Sequence, residues 1–230
     1  LGWRWVCGLH TRGQTYLARP GNIAKYTDGR FDPAGRLAER ATPLEETEPP
    51  APQPLEELPE HVSPQNAWGL LITEDDCHAE SLGLCQTGTP APSAVLGLLA
   101  SADRAPGFVS PAVLAFSRGA VEDAVARAGA SVGLDPGAST VDAASPDWGE
   151  SLVAWARRHG LSAIVSAHAP VGPAADRLAR ARPVLEAKRI RLLRLRRGWD
   201  TRAWAFADRG YFKLRKRIPR LLSAAGLPEL

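Results

Sequence analysis

The sequence lacks methionine altogether and has only three cysteines among its 230 residues. An initiator methionine is normally removed only before a small residue, and Leu1 is not small, so we expect the chain to be the back end of a longer protein. Cys7, Cys77 and Cys85 are too few and too scattered to form a disulfide framework. Their scarcity favours a reducing compartment, so we expect a cytoplasmic protein.

Long apolar runs and the common catalytic motifs are also missing. No stretch approaches the roughly 18 consecutive apolar residues of a membrane-spanning helix, so we expect no membrane partner. There is no G-x-G-x-x-G fingerprint, no Walker-type phosphate loop and no G-x-S-x-G nucleophile turn. The acidic, cysteine and histidine residues between 75 and 85 lack the spacing of a zinc site, which favours a polar loop.

Charge is distributed unevenly along the chain. Residues 43–65 contain seven prolines and six glutamates with no lysine or arginine, which predicts an extended linker. This linker separates residues 1–42 from residues 66–230. Residues 177–220 contain sixteen lysines and arginines against three acidic residues, a balance that suits either nucleic-acid binding or a plain solvated surface.

Residues 66–230 alternate the patterns of strands and helices. Apolar runs predict strands at 68–73, 161–166 and 190–195. Helices are predicted at 95–100, at 116–130 with Ser117 as its cap, from the start at Ser145-Pro146-Asp147 to Gly160, at 173–187, and at 211–222 with an interruption at Pro219. Such alternation with short links predicts a Rossmann-like α/β domain, in which helices cover a parallel sheet.

The first 42 residues combine tryptophans with basic and aromatic residues. Trp3 and Trp5 flank Arg4 in a G-W-R-W segment, and Asn22 precedes the stretch R-F-D-P-A-G at residues 30–35. Residues two apart on a helix point about 200° away from each other, so we expect the two indoles to face different environments. The order and spacing of these segments resemble the late part of the FAD-binding helical domain of DNA photolyases and cryptochromes.

The resemblance implies that residues 1–42 are a short helical remnant of a flavin domain, with FAD as cofactor and DNA containing a pyrimidine dimer as partner. It implies that Trp3 matches the tryptophan nearest the flavin, which contacts FAD and relays electrons. Trp5 would match the tryptophan that packs against the flipped dimer, with Arg4 and Arg12 near the phosphates. The implied activity of the longer parent is light-driven electron transfer from reduced FAD to the dimer. We expect this fragment alone neither to hold FAD tightly nor to repair DNA.

Two departures from the family pattern accompany this resemblance. Most family contacts to FAD lie upstream of the G-W-x-W segment, and the linker at 43–65 replaces the usual family ending.

Residues 155–165 and 210–218 further resemble the second half of the photolyase α/β antenna domain. In the family that domain precedes the flavin domain, whereas here it would follow.

The residues leave two other functions open. In one, the chain is a non-catalytic module whose basic tail binds nucleic acid. The candidate residues of that tail are Lys213, Arg215, Lys216 and Arg217. In the other, the α/β domain binds a nucleotide or small ligand at its strand ends, near residues 73–76 and 166–172. His168 lies in the second range, although a single histidine there is more often structural.

Overall fold

The computed structural model describes residues 17–40, 54–84, 90–105, 107–142, 145–206 and 211–227. The chain divides into two compact units, residues 1–54 and residues 55–230. The residues predicted to contact FAD or DNA lie outside the described residues, namely Trp3, Arg4, Trp5 and Arg12. No helix within the described ranges combines the length and the apolar character that a membrane crossing requires.

The described part of the first unit is one short helix followed by a turn. Helix α1 (Pro20–Tyr26) begins with a proline, whose missing N–H is not needed in a first turn. In the R-F-D-P-A-G stretch at 30–35, the Asp32 carboxylate accepts from the Ala34 N–H at 3.1 Å. Gly35 has a positive φ of 74°, which glycine adopts without strain. The stretch therefore forms a tight turn, and no helix follows it among the described residues of this unit.

The second unit is built on a five-stranded sheet. Its strands are β1 (Trp68–Thr73), β2 (Ala94–Leu98), β3 (Ser139–Asp142), β4 (Ala163–Ala167) and β5 (Arg191–Leu195). All neighbouring pairs run parallel, in the spatial order β3-β2-β1-β4-β5. Every residue of β1 and β2 is buried, as expected of central parallel strands that are covered on both faces. The predicted Rossmann-like α/β fold is confirmed.

Helices cover both faces of this sheet. The α-helices are α2 (Pro111–Ser131), α3 (Trp148–Arg158), α4 (Pro173–Ala187), α5 (Gly198–Trp204), α6 (Tyr211–Arg215) and α7 (Ile218–Ala224), and 3₁₀ helices occur at Ala79–Leu82, Ser101–Arg104 and Pro136–Ala138. On one face, α3 and α4 bury Trp148, Leu152 and Leu185. On the other face, α2 buries Val121 and Val125. Each such side chain contributes roughly 1.5 to 3 kcal/mol of transfer free energy, so the two layers stabilise the domain from both sides.

Two glycines in the central strands allow the helices to pack closely. A Cβ atom at Gly97 would lie only 2.5 Å from the Val121 side chain of α2. A Cβ atom at Gly69 would overlap the Trp155 ring of α3. A glycine within a strand often marks such a close approach, and here one glycine serves each face of the sheet.

Several strands and helices agree with the prediction from the sequence, and two regions do not. The predicted strands at 68–73, 161–166 and 190–195 and the helix at 173–187 are confirmed as β1, β4, β5 and α4, with ends that differ by at most two residues. The predicted helix at 95–100 is wrong, because residues 94–98 form β2 and are buried on both faces. Strand β3 is not predicted at all, since it has only four residues, S-T-V-D, and three of them are polar.

The ends of three helices also differ from the prediction. Helix α2 begins earlier than predicted and is capped by Ser110, whose hydroxyl accepts from the backbone of the first turn, so Ser117 lies inside the helix. Helix α3 is capped by Asp147, whose carboxylate accepts the Gly149 N–H at 2.8 Å, rather than by Ser145. The predicted segment at 211–222 is two helices, and Pro219 lies in the first turn of the second one.

Candidate functional site

The carboxyl ends of the five strands form one edge of the sheet, because all strands run parallel. The chain passes from β1 to β2 on one side of β1, whereas β4 and β5 lie on its other side. The edge between β1 and β4 is therefore the topological switch point, where open α/β sheets bind ligands. Residues 73–76 and 166–172, which the sequence predicts as a ligand region, lie at the ends of these two strands.

Glu74 directly follows β1, and only 5% of its side chain is exposed. Its Oε1 accepts from the backbone N–H of Ala100 at 2.8 Å and from the Ser101 hydroxyl at 2.9 Å. Arg104 Nε lies 3.7 Å from the same oxygen. Oε2 is buried and has no hydrogen-bond partner in the described part of the chain. One oxygen of Glu74 thus fixes the loop after β2, and the other is left to accept from a donor.

The next two acids, Asp75 and Asp76, each face an arginine. Asp75 pairs with Arg104, and Asp76 pairs with Arg197, whose Nη2 donates to Oδ1 at 3.0 Å. Arg197 Nη2 also donates to the His78 carbonyl at 2.7 Å. The hydrogen bond to Asp76 raises the pKa of Arg197 above its usual value. These pairs connect the loops that follow β1, β2 and β5.

Arg196 directly follows β5 and is only 3% exposed. Its backbone N–H donates to the Pro59 carbonyl at 3.0 Å, its Nε to the Thr201 hydroxyl at 3.1 Å, and its Nη2 to the Glu56 carbonyl at 2.7 Å. All of these acceptors are neutral. Within the described ranges Arg196 forms no ion pair, and its buried Nη1 has no hydrogen-bond partner. Its guanidinium is therefore buried without a direct carboxylate partner among these residues.

His168 follows β4, and its backbone N–H donates to the Leu195 carbonyl at 2.8 Å. Its ring centroid lies 5.4 Å from that of Trp204. Burial, and then the positive charges of Arg196 and Arg194, lower the pKa of His168 below its usual value of 6.5. The neutral ring is therefore favoured at physiological pH. Its Nδ1 is buried and finds no hydrogen-bond partner among the described residues.

A small cavity and one more polar side chain complete this part of the edge. Ser166, inside β4, is 2% exposed, and no described residue hydrogen-bonds to its hydroxyl. A cavity of about 80 Å³ lies between β5, α4 and the loop that follows β4, and its lining includes Ala169, Leu178, Arg182 and Arg194. Arg194 also pairs with the Glu56 carboxylate at 2.5 Å and keeps the pKa of that carboxyl below its usual value. Positively charged groups thus lie both in the cavity and at the edge beside it.

Four side chains at this edge therefore carry a buried polar atom with no described partner. We call them the carboxyl-edge group, and they are Glu74, Ser166, His168 and Arg196. The first three lie in the ranges where the sequence predicts a ligand. Arg196 is missed by sequence patterns, and the available signal is its place directly after a strand. The basic tail residues of the alternative nucleic-acid module lie elsewhere, on α6 and between α6 and α7.

No protein-family model, no curated protein and no solved structure matches this chain. The geometry and charge of the described residues are therefore the basis for a functional proposal.

Proposed function

We propose that the α/β domain binds a small anionic ligand, of which a nucleotide is the preferred type, at the carboxyl edge of β4 and β5. The observation that carries this proposal is Arg196, a guanidinium that is almost completely buried, has no direct ion pair with the described residues and has no hydrogen-bond partner for Nη1 among them. A phosphate or carboxylate group of a ligand would pair with it directly.

The energetic argument concerns the cost of a buried charge. Removing one ion from water costs several kcal/mol even after the protein relaxes, and an ion pair with good geometry offsets that cost. The carbonyl of Glu56 and the hydroxyl of Thr201 accept hydrogen bonds from Arg196 but do not neutralise it. An anion at Nη1 would both accept a hydrogen bond and neutralise the charge, because arginine binds phosphate and carboxylate groups through its planar fork.

The rest of the carboxyl-edge group supports a ligand with donors as well as a negative charge. The neutral ring of His168 offers one nitrogen as a donor or an acceptor, depending on its tautomer. Glu74 Oε2 accepts only, so it would bind a hydroxyl or amino group. A nucleotide has both kinds of group, a phosphate that could accept from Arg196 and ribose hydroxyls that could donate to Glu74 Oε2. The chain has no glycine-rich phosphate loop, so the side chains would make these contacts.

A thermal-shift experiment tests the proposal with a panel of mononucleotides, dinucleotides and flavin nucleotides. A ligand at about 100 times its Kd should raise the Tm of the domain by roughly 5 to 10 °C. In Arg196→Met this shift should disappear, whereas Arg196→Lys should keep part of it. Without ligand, Arg196→Met should be as stable as the native chain or more stable, because the substitution removes an unneutralised buried charge.

Arg158→Met serves as the matched control, because Arg158 is an exposed arginine at the end of α3. It should leave both the Tm and the ligand shift unchanged. A ligand shift that survives in Arg196→Met would contradict the proposal. So would a large loss of stability in ligand-free Arg196→Met, since that result would make Arg196 a structural residue of the contacts to Glu56 and Thr201.

A second candidate function is favoured by the residues at 2–35. In this proposal the chain is the carboxyl-terminal part of a photolyase-like flavoprotein that uses FAD and light to split pyrimidine dimers in DNA. Its support is the ordered occurrence of the G-W-R-W segment, Asn22 and the R-F-D-P-A-G stretch. Asn22 and Gly35, which belong to two of these segments, line one groove of about 600 Å³ in the first unit.

The coding DNA upstream of Leu1 provides the test of this second candidate. An open frame that continues into a helical flavin-domain sequence supports it, and an in-frame stop contradicts it. The longer protein should purify with FAD and repair a thymine dimer in an oligonucleotide only under light. Trp3→Phe should abolish photoreduction of the flavin, and Trp5→Ala should weaken binding to dimer-containing DNA.

A further inference from the structure

The end of the chain combines exposed aromatic rings with a local excess of basic residues. Residues 211–227 contain five lysines and arginines and no aspartate or glutamate. Tyr211 and Phe212 are 61% and 78% exposed, although aromatic side chains usually become buried. Their ring centroids lie 5.6 Å apart in an edge-to-face arrangement. We call this region the basic aromatic surface, and its residues are Tyr211, Phe212, Lys213, Arg215, Lys216, Arg217 and Arg220.

The basic aromatic surface is attached to the α/β domain. Helix α7 contacts α5, and its Leu221 is buried with 5% exposure. The Arg217 guanidinium lies over the Phe206 ring, 5.5 Å from its centroid. Pro219 occupies the first turn of α7, where proline is well tolerated. The helix that directly follows the exposed rings therefore rests on the folded domain.

We propose that the basic aromatic surface binds single-stranded nucleic acid. Exposed bases would stack on Tyr211 and Phe212, and phosphates would contact Arg215, Lys216 and Arg220. Proteins that bind single strands without sequence preference combine these two features, an aromatic platform and a positively charged track for the backbone. This proposal is independent of the ligand proposed for the carboxyl edge.

Two features favour a single strand over other polyanions. In a duplex the base faces are stacked on one another, so the exposed rings of Tyr211 and Phe212 would have no partner there. An anionic membrane surface is usually bound by a longer amphipathic helix with one apolar face. Helices α6 and α7 have only 5 and 7 residues, which is too short for such a face.

The test measures fluorescence anisotropy of a labelled oligothymidylate of about 20 nucleotides at several salt concentrations. We expect binding whose affinity falls steeply with salt. The triple variant Arg215→Glu, Lys216→Glu and Arg220→Glu should lower the affinity roughly 100-fold near 0.1 M salt and make the salt slope about 2 units shallower, because single strands release about 0.7 counterion per contact. An oligouridylate and a duplex of equal length distinguish RNA from DNA and single from double strands.

Two further variants separate stacking from charge. Tyr211→Ala with Phe212→Ala should lower the affinity for the single strand roughly tenfold or more and leave the salt slope unchanged. The matched control replaces three exposed basic residues with Glu. They lie near the amino-terminal ends of β4 and β5, and they are Arg157, Arg158 and Lys188. It changes the net charge by the same amount and should leave binding almost intact.

Several outcomes would overturn the proposal. One is an equal loss of binding in the control variant, which would mean that net charge alone drives association. Another is an unchanged affinity in the triple variant. A preference for the duplex that Tyr211→Ala with Phe212→Ala does not alter would exclude stacking. Binding to vesicles with anionic phospholipid, without binding to either oligonucleotide, would identify a membrane surface instead.

Discussion

The arginines of the α/β domain fall into two groups that differ in their partners. Arg104, Arg127, Arg177 and Arg197 each pair with a carboxylate of a different element or loop. Arg196, one residue before the last of these, is more deeply buried and has no carboxylate partner in the described part of the chain. Arg196 and Arg197 are adjacent arginines, but only Arg197 pairs with a carboxylate, and this difference decides their roles.

The paired arginines connect parts of the fold that are distant in sequence. Arg177 on α4 donates to Asp103 at 2.6 Å and to the Ser145 carbonyl at 2.8 Å, so it joins α4 to two loops at the carboxyl edge. Arg127 on α2 reaches Glu80 and the Cys77 carbonyl in the same way. A high arginine content thus has a structural explanation where acids face the guanidinium groups. The explanation does not extend to Arg196 or to the basic aromatic surface.

The largest effect is expected from breaking the Asp76–Arg197 pair. Its side chains are 16% and 22% exposed, so Arg197→Met leaves a poorly solvated carboxylate. We expect the free energy of unfolding to fall by about 2 to 4 kcal/mol, somewhat less than for a fully buried pair. Urea unfolding of Arg197→Met and of the native chain measures this difference in free energy.

Arg196→Met is the natural comparison for that variant, since the same substitution one residue earlier should cost little or nothing. A double-mutant cycle with Asp76→Asn isolates the pair itself from any change in packing. A loss below about 1 kcal/mol for Arg197→Met would put its pair in the class of surface ion pairs. The distinction between the two groups of arginines would then fail.

The strands of the fold could be predicted only where their patterns are distinctive. The run W-G-L-L-I-T at 68–73 is followed directly by three acids, and β1 is found there. The apolar residues 95–100 have neither alternation nor a helical period, so a buried strand cannot be told from a short helix. Gly97 is informative only in retrospect, because its need for glycine comes from Val121 on a distant helix.

The position of the candidate site could be predicted from the sequence, but its full set of residues could not. Acids after β1 and a histidine after β4 mark the carboxyl edge, and both Glu74 and His168 belong to the carboxyl-edge group. Arg196 lies in the run R-L-R-R-G, where nothing local separates it from Arg194 and Arg197. Its isolation depends on which acids other loops bring near, and that is a property of the tertiary structure.

A smaller effect concerns the neighbour of the unneutralised arginine. Burial, followed by Arg196 and Arg194, lowers the pKa of His168 in the folded protein below its usual value of 6.5. As the pH falls below that value, the unfolded chain takes up a proton that the folded chain does not, so the free energy of unfolding decreases. Above it, this contribution to stability is fully present. His168→Gln should flatten the pH dependence of urea unfolding on the acidic side.

His78→Gln replaces an exposed histidine and is the control for that comparison. At neutral pH its free energy of unfolding should equal that of the native chain, because the side chain is exposed. If the curves of His168→Gln and the native chain are parallel from neutral to mildly acidic pH, His168 is solvated in the folded protein. The charge of Arg196 would then have little influence on its surroundings.

The smallest effect is expected from a paired arginine on the surface. Arg118 Nε lies 2.7 Å from Glu122 Oε1, four residues later on α2, and the two side chains are 63% and 47% exposed. Water and salt screen such a pair, so Arg118→Ala should lower the free energy of unfolding by only about 0.3 to 0.5 kcal/mol. High salt should reduce that difference further. A loss greater than about 1 kcal/mol would mean that pairing matters equally at exposed and buried positions, and burial would no longer distinguish Arg197 from the rest.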